Sequence, residues 1–253
     1  MIQNLERDDG LIEYKQITHT GNRDHNEDSA ICLESSGNFC FVVADGLGGH
    51  GRGEVASQKL IEVFKREFEN GYEDSEKYIE NTFLKAQEEI LELQEQQGDR
   101  FGMKTTAVAL SIRDGKCRWG HIGDSRLYVF QKDRVKIRTL DHSVPQMLVL
   151  SGEIKEKHIS THPDRNRLLR VMGIEWDSSR YEISEDELSL GDCQAFLLCT
   201  DGFWENITSR MMCKLLKKST SVEEWVELMI KEVERKGQGS DLDNYTAIGV
   251  LVR

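Results

Sequence analysis

Several acidic residues stand where an apolar run gives way to a turn. Asp45-Gly46 closes the run at 38–44, Asp201-Gly202 follows the run at 193–199, and Asp243-Asn244 opens the run at 245–252. Glu27-Asp28 precede Ser29, and Asp124 lies in Gly123-Asp124-Ser125-Arg126 between two apolar stretches. A single Asp-Gly is an ordinary turn signal. Two that each end an apolar strand are harder to read that way, because a carboxylate that follows a buried segment needs a partner. Strand ends at one edge of a sheet can converge in space though distant in sequence. Carboxylates gathered there repel one another unless cations sit among them. Oxygen-only donors suit hard ions, Mg²⁺ or Mn²⁺, over zinc.

The elements that must position these residues follow from periodicity. Residues 11–18 alternate weakly as a strand, and 38–44 (NFCFVVA) reads as a buried one. Residues 53–69 carry Val55, Leu60, Ile61, Phe64 and Phe68 on one helical stripe that Asn70-Gly71 ends. Residues 73–97 form a second helical segment, so an antiparallel helix pair laid on a sheet is expected. From Lys104 the period shortens to strands at 105–112, 117–122, 127–131 and 135–138. The turn signals Arg113-Asp114-Gly115 and Lys132-Asp133 predict a meander of hairpins. Residues 139–177 are polar and irregular, with Pro145, Pro163 and His142, His158 and His162, a loop-rich insertion of the kind that carries function. Beyond it lie a strand at 193–199, helices at 211–217 and 222–235, a Gly-rich loop at 236–243 and a last strand at 245–252. Strand groups and helix pairs, without βαβ alternation, imply an α+β layered fold.

Composition narrows the function classes. The chain has 253 residues, 33 Lys plus Arg against 45 Asp plus Glu, and a formal charge of −12. That charge opposes nonspecific binding to nucleic acid or to an anionic membrane. No run approaches the roughly 20 apolar residues that span a bilayer, and residues 1–9 are polar and acidic, unlike a secretory leader. A cytoplasmic protein, monomeric and with no membrane or nucleic-acid partner, is expected. The six cysteines form no CxxC pair and read as reduced core residues. Gly46-Leu47-Gly48-Gly49-His50-Gly51 satisfies G-x-G-x-x-G after a strand and before a helix. Asp45 would place a negative charge against a pyrophosphate there, and no second strand follows at βαβ distance, so a dinucleotide site is disfavoured.

Taken in order, seven segments resemble the type-2C (PPM) family of metal-dependent Ser/Thr protein phosphatases, in its bacterial form. They are Arg23-Asp24-His25-Asn26-Glu27-Asp28; Val43-Ala44-Asp45-Gly46-Leu47-Gly48-Gly49-His50 with Gly53-Glu54-Val55-Ala56-Ser57; Lys104-Thr105-Thr106-Ala107; Gly120-His121-Ile122-Gly123-Asp124-Ser125-Arg126; Leu140-Asp141-His142-Ser143; Cys199-Thr200-Asp201-Gly202-Phe203-Trp204-Glu205; and Asp243-Asn244-Tyr245-Thr246. The resemblance implies one domain over 1–253, a four-layer α-β-β-α sandwich of two antiparallel sheets flanked by helix pairs. Residues of about 139–177 correspond to the flap beside the active site.

The resemblance also implies roles. Asp45 bridges two Mn²⁺ or Mg²⁺ ions, with the Gly46 carbonyl as a further ligand to one. Asp201 and Asp243 bind one ion, Asp28 assists as a ligand, and Glu27 holds an ion-bound water. Arg23 grips the substrate phosphate as a fork-shaped donor. Asp124 binds a third ion, helped by Glu205, where Asp is more usual. His142, His162, Arg165 and Arg170 are candidate contacts to a phosphopeptide, with local turn and cap contacts as the alternative for each. The implied reaction is attack on phosphoserine or phosphothreonine by a water bridging the two ions, with phosphorylated proteins, products of a Ser/Thr kinase, as substrates. Leu47 stands where some relatives place a histidine acid, so leaving-group protonation falls to water or another residue, and His50 is near in sequence. A catalytically weak regulatory or binding module on the same fold is the alternative. Retention of Asp45, Asp201 and Asp243 together weighs against it.

Overall fold

Alternating side chains give the central strands two buried faces, and from this a layered structure follows. The computed structural model describes residues 12–48, 52–71, 76–99, 101–176, 180–185 and 187–253. The strands are β1 (Ile12–His19), β2 (Asp28–Ser35), β3 (Asn38–Leu47), β4 (Lys104–Thr105), β5 (Ala107–Arg113), β6 (Lys116–Ile122), β7 (Arg126–Gln131), β8 (Arg134–Arg138), β9 (Glu182–Ile183), β10 (Leu188–Ser189), β11 (Ala195–Cys199) and β12 (Tyr245–Val252). The helices are α1 (Arg52–Glu69), α2 (Tyr78–Gln96), α3 (Val144–Leu150), α4 (Asp201–Trp204), α5 (Ser209–Lys218) and α6 (Val222–Gly237). One antiparallel sheet has the order β1-β12-β11-β7-β8. The other has β10-β6-β5-β3-β2, with β4 on β3 and β9 on β6.

Three apolar cores separate four layers. Phe39, Phe41 and Val43 of β3 join Phe196, Leu198, Ile248 and Val250 between the sheets. The alternate residues Cys40, Val42 and Ala44 face Leu60, Phe64, Phe83 and Ile90 of α1 and α2. On the far side Ala195, Leu197 and Cys199 of β11 pack against Met212, Trp225, Val226 and Met229 of α5 and α6. Each large side chain so buried is worth about 1.5–3 kcal/mol. Ser143, Thr208 and Ser221 cap α3, α5 and α6, each accepting a backbone N–H three residues on. This is the expected α-β-β-α sandwich. No helix among the described residues is long and apolar enough to cross a membrane.

Two expectations change. The strands at 105–138 are not one meander. β5 and β6 form a hairpin in one sheet, β7 and β8 a hairpin in the other, and the chain crosses between sheets at Gly123-Asp124-Ser125, with Gly123 at φ +94°. Sequence periodicity is blind to this crossing because β5 and β7, one from each hairpin, are both buried on both faces. The described part of the expected 139–177 segment, residues 139–176, is also more ordered than a loop. It carries α3 and a 3-10 turn (Glu156–His158), and isolated bridges join Ser143 to Leu168 and Thr105 to Met172. The second helix begins at Tyr78, and of its expected first residues 73–75 lie outside the described ones.

Candidate active site

The acidic residues of five separate segments meet at one end of the sandwich. Asp45, near the end of β3, sits in register opposite Asp28 at the start of β2. Asp201 opens α4 one residue beyond the end of β11, Asp243 is separated from β12 by Asn244 alone, and Asp124 lies in the crossing between β6 and β7. A cleft of about 410 Å³ opens there, lined by Arg23, Glu27, Asp45, Gly46, Asp124, Asp201 and Asp243 among others.

Short polar residues hold this arrangement through the backbone. The Asp45 N–H donates to Thr106 Oγ1 at 3.0 Å, and its carbonyl accepts from the Thr106 N–H at 2.9 Å and from Thr105 Oγ1 at 3.0 Å. Thr106 Oγ1 lies 2.7 Å from Ser125 Oγ, beside Asp124. The Glu27 carbonyl accepts from Ser57 Oγ at 2.6 Å and from the Gly46 N–H at 3.1 Å. Asn244 Oδ1 accepts the Glu27 N–H at 2.9 Å, and its amide donates to the Thr20 and His25 carbonyls at 2.8 and 2.9 Å. That one side chain pins the loop carrying Arg23 and Glu27 against the residue after Asp243. Gly46 is required sterically, since a Cβ there would stand 2.3 Å from the Gly53 carbonyl carbon and 2.6 Å from the Glu27 carbonyl oxygen.

The electrostatics are those of uncompensated anions. Burial first, then the charge of neighbouring aspartates, pushes Asp201 up to about 6 and Asp28, despite its hydrogen bonds, up to about 8. The same causes raise Asp45 and Asp124 well above the carboxylate range, Asp45 feeling Asp201, Asp28, Asp124 and Asp243. Glu205, half-buried and repelled by Asp201, is pushed to about 8. Asp28 Oδ2 accepts from Thr200 Oγ1 at 2.9 Å, but Asp28 Oδ1 is buried with no hydrogen-bond partner. Cationic company at the carboxylates comes from the rim, where Arg23 Nη2 donates to Asp243 Oδ2 at 2.9 Å and Arg165 Nε lies 3.5 Å from Glu205 Oε2, and from the buried Arg126, which is committed to Asp141 but also attracts Asp124 and Glu205. An all-oxygen donor set with an orphaned buried oxygen fits hard divalent cations.

Among the described residues, the one trio of His, Cys, Asp or Glu whose ligand atoms all lie within 4.8 Å is His121, His142 and Glu182. The aspartates are spread more widely than a single ion's cage. The histidine trio does not point its lone pairs at a common point. The His121 and His142 rings stack at 4.7 Å and 13°, whereas ligand lone pairs lie in the ring planes. A backbone N–H only donates, so His142 Nδ1, which accepts from Gly123 N at 3.2 Å, leaves the proton on Nε2, facing Glu182 Oε1 at 3.1 Å.

Of the residues expected to touch substrate, Arg23 lines the cleft and Arg165 reaches its acidic cluster through Glu205. The structure does not bring His142 or His162 to the cleft lining. His142 is buried in the ring stack, and His162 Nδ1 accepts the Asp164 N–H at 3.1 Å within a local turn. Arg170 lies 3.6 Å from Glu182. Asn166 and Leu168 of the same segment line the cleft instead, as do Asp24, His25 and Asn244. Leu47 is in the lining, and His50 lies outside the described residues. The positioning residues Thr106, Ser57 and Asn244 all fall inside the quoted motifs. Only their roles were unread, because each acts on the backbone of a distant segment.

The chain is similar to known proteins over most of its length. The family described as Protein phosphatase 2C matches residues 16–245. The serine/threonine phosphatase stp of Listeria monocytogenes serotype 4b is 30% identical over 221 residues, covering 85% of this chain and 86% of that protein. The crystal structure of Stp1 from Staphylococcus aureus superposes with a TM-score of 0.86 at 27% identity, covering 100% of both chains. The catalytic domain of the phosphatase PstP, solved in complex with two manganese ions, superposes with a TM-score of 0.77 at 25% identity, covering 95% of this chain and 98% of that one.

Proposed function

The chain belongs to the protein phosphatase 2C family of serine/threonine phosphatases, and on that premise we propose that it hydrolyses phosphoserine and phosphothreonine in proteins with two Mn²⁺ or Mg²⁺ ions held in the carboxylate cleft. The observation that carries this reading is the convergence of Asp28, Asp45, Asp124, Asp201 and Asp243, mutually repelling and with a partnerless buried oxygen. In this reading Asp45 would serve both ions and the Gly46 carbonyl one of them, Asp201 and Asp243 would serve one, and Asp28 would assist as a ligand, directly or through water. Asp124 and Glu205 supply a further, weaker position. When bound, such a pair of ions neutralises the phosphate dianion and acidifies water between them. Glu27 presents its carboxyl to the same wall and orients water. Arg23, half exposed at the rim, offers its remaining N–H donors to the phosphate oxygens. Leu47 offers no proton, so water or another group protonates the departing alkoxide. Substrates are phosphoproteins made by a Ser/Thr kinase.

The test is hydrolysis of p-nitrophenyl phosphate and of a phosphothreonine peptide with Mn²⁺, with and without chelator, beside equilibrium dialysis of the ion. Two ions per chain and chelator-sensitive turnover are expected, with turnover lost in Asp201→Asn. Wild-type rates from Asp201→Asn, or hydrolysis indifferent to chelator, would refute the assignment.

A further inference from the structure

His142, expected at the substrate, stands instead behind Asp124, where its contacts give it a different task. Asp124 follows Gly123 in the crossing between the sheets, and Gly123 adopts φ +94°. A glycine is the softest joint in such a crossing, because no Cβ restricts its rotation. Here one residue occupies both of its backbone polar groups. The Gly123 N–H donates to His142 Nδ1 at 3.2 Å, and the His142 N–H donates to the Gly123 carbonyl at 2.8 Å. The peptide on each side of Gly123 is thereby held, and the second of them leads straight into Asp124. The Asp124 carbonyl in turn accepts from Trp204 Nε1 at 2.9 Å.

The imidazole is itself fixed. It is buried, and its ring stacks on that of His121, with centroids 4.7 Å apart. His142 Nε2 faces Glu182 Oε1 at 3.1 Å, and Arg170 Nη1 stands 3.6 Å from the same oxygen. β9 brings Glu182 there by pairing it with His121. A carboxylate facing Nε2–H keeps the proton on that nitrogen, so Nδ1 remains an acceptor for the Gly123 N–H. We propose that His142 is the positioning residue for Asp124: its Nδ1 fixes the Gly123 peptide so that the Asp124 carboxylate is presented to the further, weaker ion. In this role His142 touches neither substrate nor ion. The role rests on the reading of Asp124 as a donor at that weaker position.

The experiment is equilibrium dialysis against Mn²⁺, carried into the millimolar range, on wild type, His142→Phe, His142→Asn and Asp124→Ala. Wild type should bind two ions tightly and a third weakly. Phenylalanine keeps the stack on His121 and removes the acceptor. His142→Phe should therefore keep the two tight ions and weaken the third about tenfold or more, the loss that follows when a group orienting a ligand is removed. Asparagine sets an oxygen near the place of Nδ1, so His142→Asn should recover most of that loss. Adding His142→Phe to Asp124→Ala should change nothing further, whereas a merely structural effect would add in both backgrounds. If His142→Phe does not fold, His142→Gln replaces it. Its amide reaches toward the place of Nε2 and leaves Gly123 without the acceptor, so the third ion should again be weakened. Imidazole ¹⁵N NMR of the wild type with Mg²⁺ at neutral pH needs no variant, and should show His142 protonated on Nε2. A proton on Nδ1 would overturn the proposal. So would a third ion bound alike by wild type and by the variant lacking the acceptor, or a loss of all three ions together. A wild type that binds no third ion would remove the reading of Asp124 itself, and the proposal with it.

Discussion

At the scale of single residues, the informative side chains are those whose contacts leave capacity unused. Arg23 commits one guanidinium nitrogen to Asp243 Oδ2 at 2.9 Å, stands 3.8 Å from Asp241, and remains half exposed. A guanidinium has five N–H donors, so most of the fork is open to an anion. A contact of this kind exists in ground and transition states alike, so Arg23→Ala should raise KM for a phosphopeptide roughly tenfold with a smaller effect on kcat. Arg23→Lys should recover only part of the loss, because an ammonium is not bidentate. Steady-state kinetics on the three proteins checks this, and an unchanged KM removes Arg23 from substrate binding. The acidic ligand candidates were legible in the sequence because an aspartate at the end of an apolar strand is costly and therefore conspicuous. His142 was not legible, because its proximity to a flap-like segment says nothing of the Ser143–Leu168 bridge and the His121 stack that bury it.

At the scale of elements, the strands and helices with a strong period appear where hydrophobic spacing puts them. β12 matches residue for residue, and α1 begins one residue earlier than expected. Besides β2 and α3, the elements that escaped reading are short and held by tertiary contact. β9 and β10 have two residues each, and α4 is a single turn set by Asp201. Such pieces bury too little of their own surface to leave a periodic trace. The site depends most on the joint between β3 and α1, where Gly46 and Gly53 touch backbone to backbone. A methyl at Gly46 has only main-chain atoms to displace, so Gly46→Ala should cost about 1–3 kcal/mol of stability, read by urea denaturation. It should also weaken Mn²⁺ binding, because the carbonyl that follows Asp45 must move. Retained stability and unaltered Mn²⁺ affinity would show that the joint is looser than its geometry implies. Thr106→Val tests the same strand from the other side. The buried Asp45 N–H would lose its acceptor, a loss of about 1–3 kcal/mol, and Thr106→Ser, which keeps the hydroxyl, should restore it.

At the scale of the whole molecule, the fold holds together a set of charges that it does not itself neutralise. Asp201, Asp28 and Glu205 are raised by burial to about 6, 8 and 8. A carboxyl whose pKa is higher folded than unfolded binds its proton more tightly in the native state. Its stabilisation is complete below the ordinary carboxylate range near 4 and is lost as pH climbs through the raised values. The chelated protein should therefore lose Tm steadily from pH 5 to pH 8, a trend that the formal charge of −12 reinforces. His142 acts in the opposite sense at the acid end. Burial pushes it down to about 4, so the stability it gives by staying neutral is lost as pH falls from about 6.5 toward 4, and the chelated protein should be most stable between these limits. Divalent cations bind the deprotonated carboxylates, so the Tm gained from saturating Mn²⁺ should be several degrees larger at pH 8 than at pH 5. Asp28→Asn, neutral and nearly isosteric, separates charge from packing. In chelator it should be more stable than wild type at pH 8 and gain little from Mn²⁺. Thermal melts at four pH values, with chelator and with Mn²⁺, measure all of this. A chelated protein whose Tm rises from pH 6.5 to 8, with an Mn²⁺ increment independent of pH, would mean that the five aspartates do not act as one repelling cage.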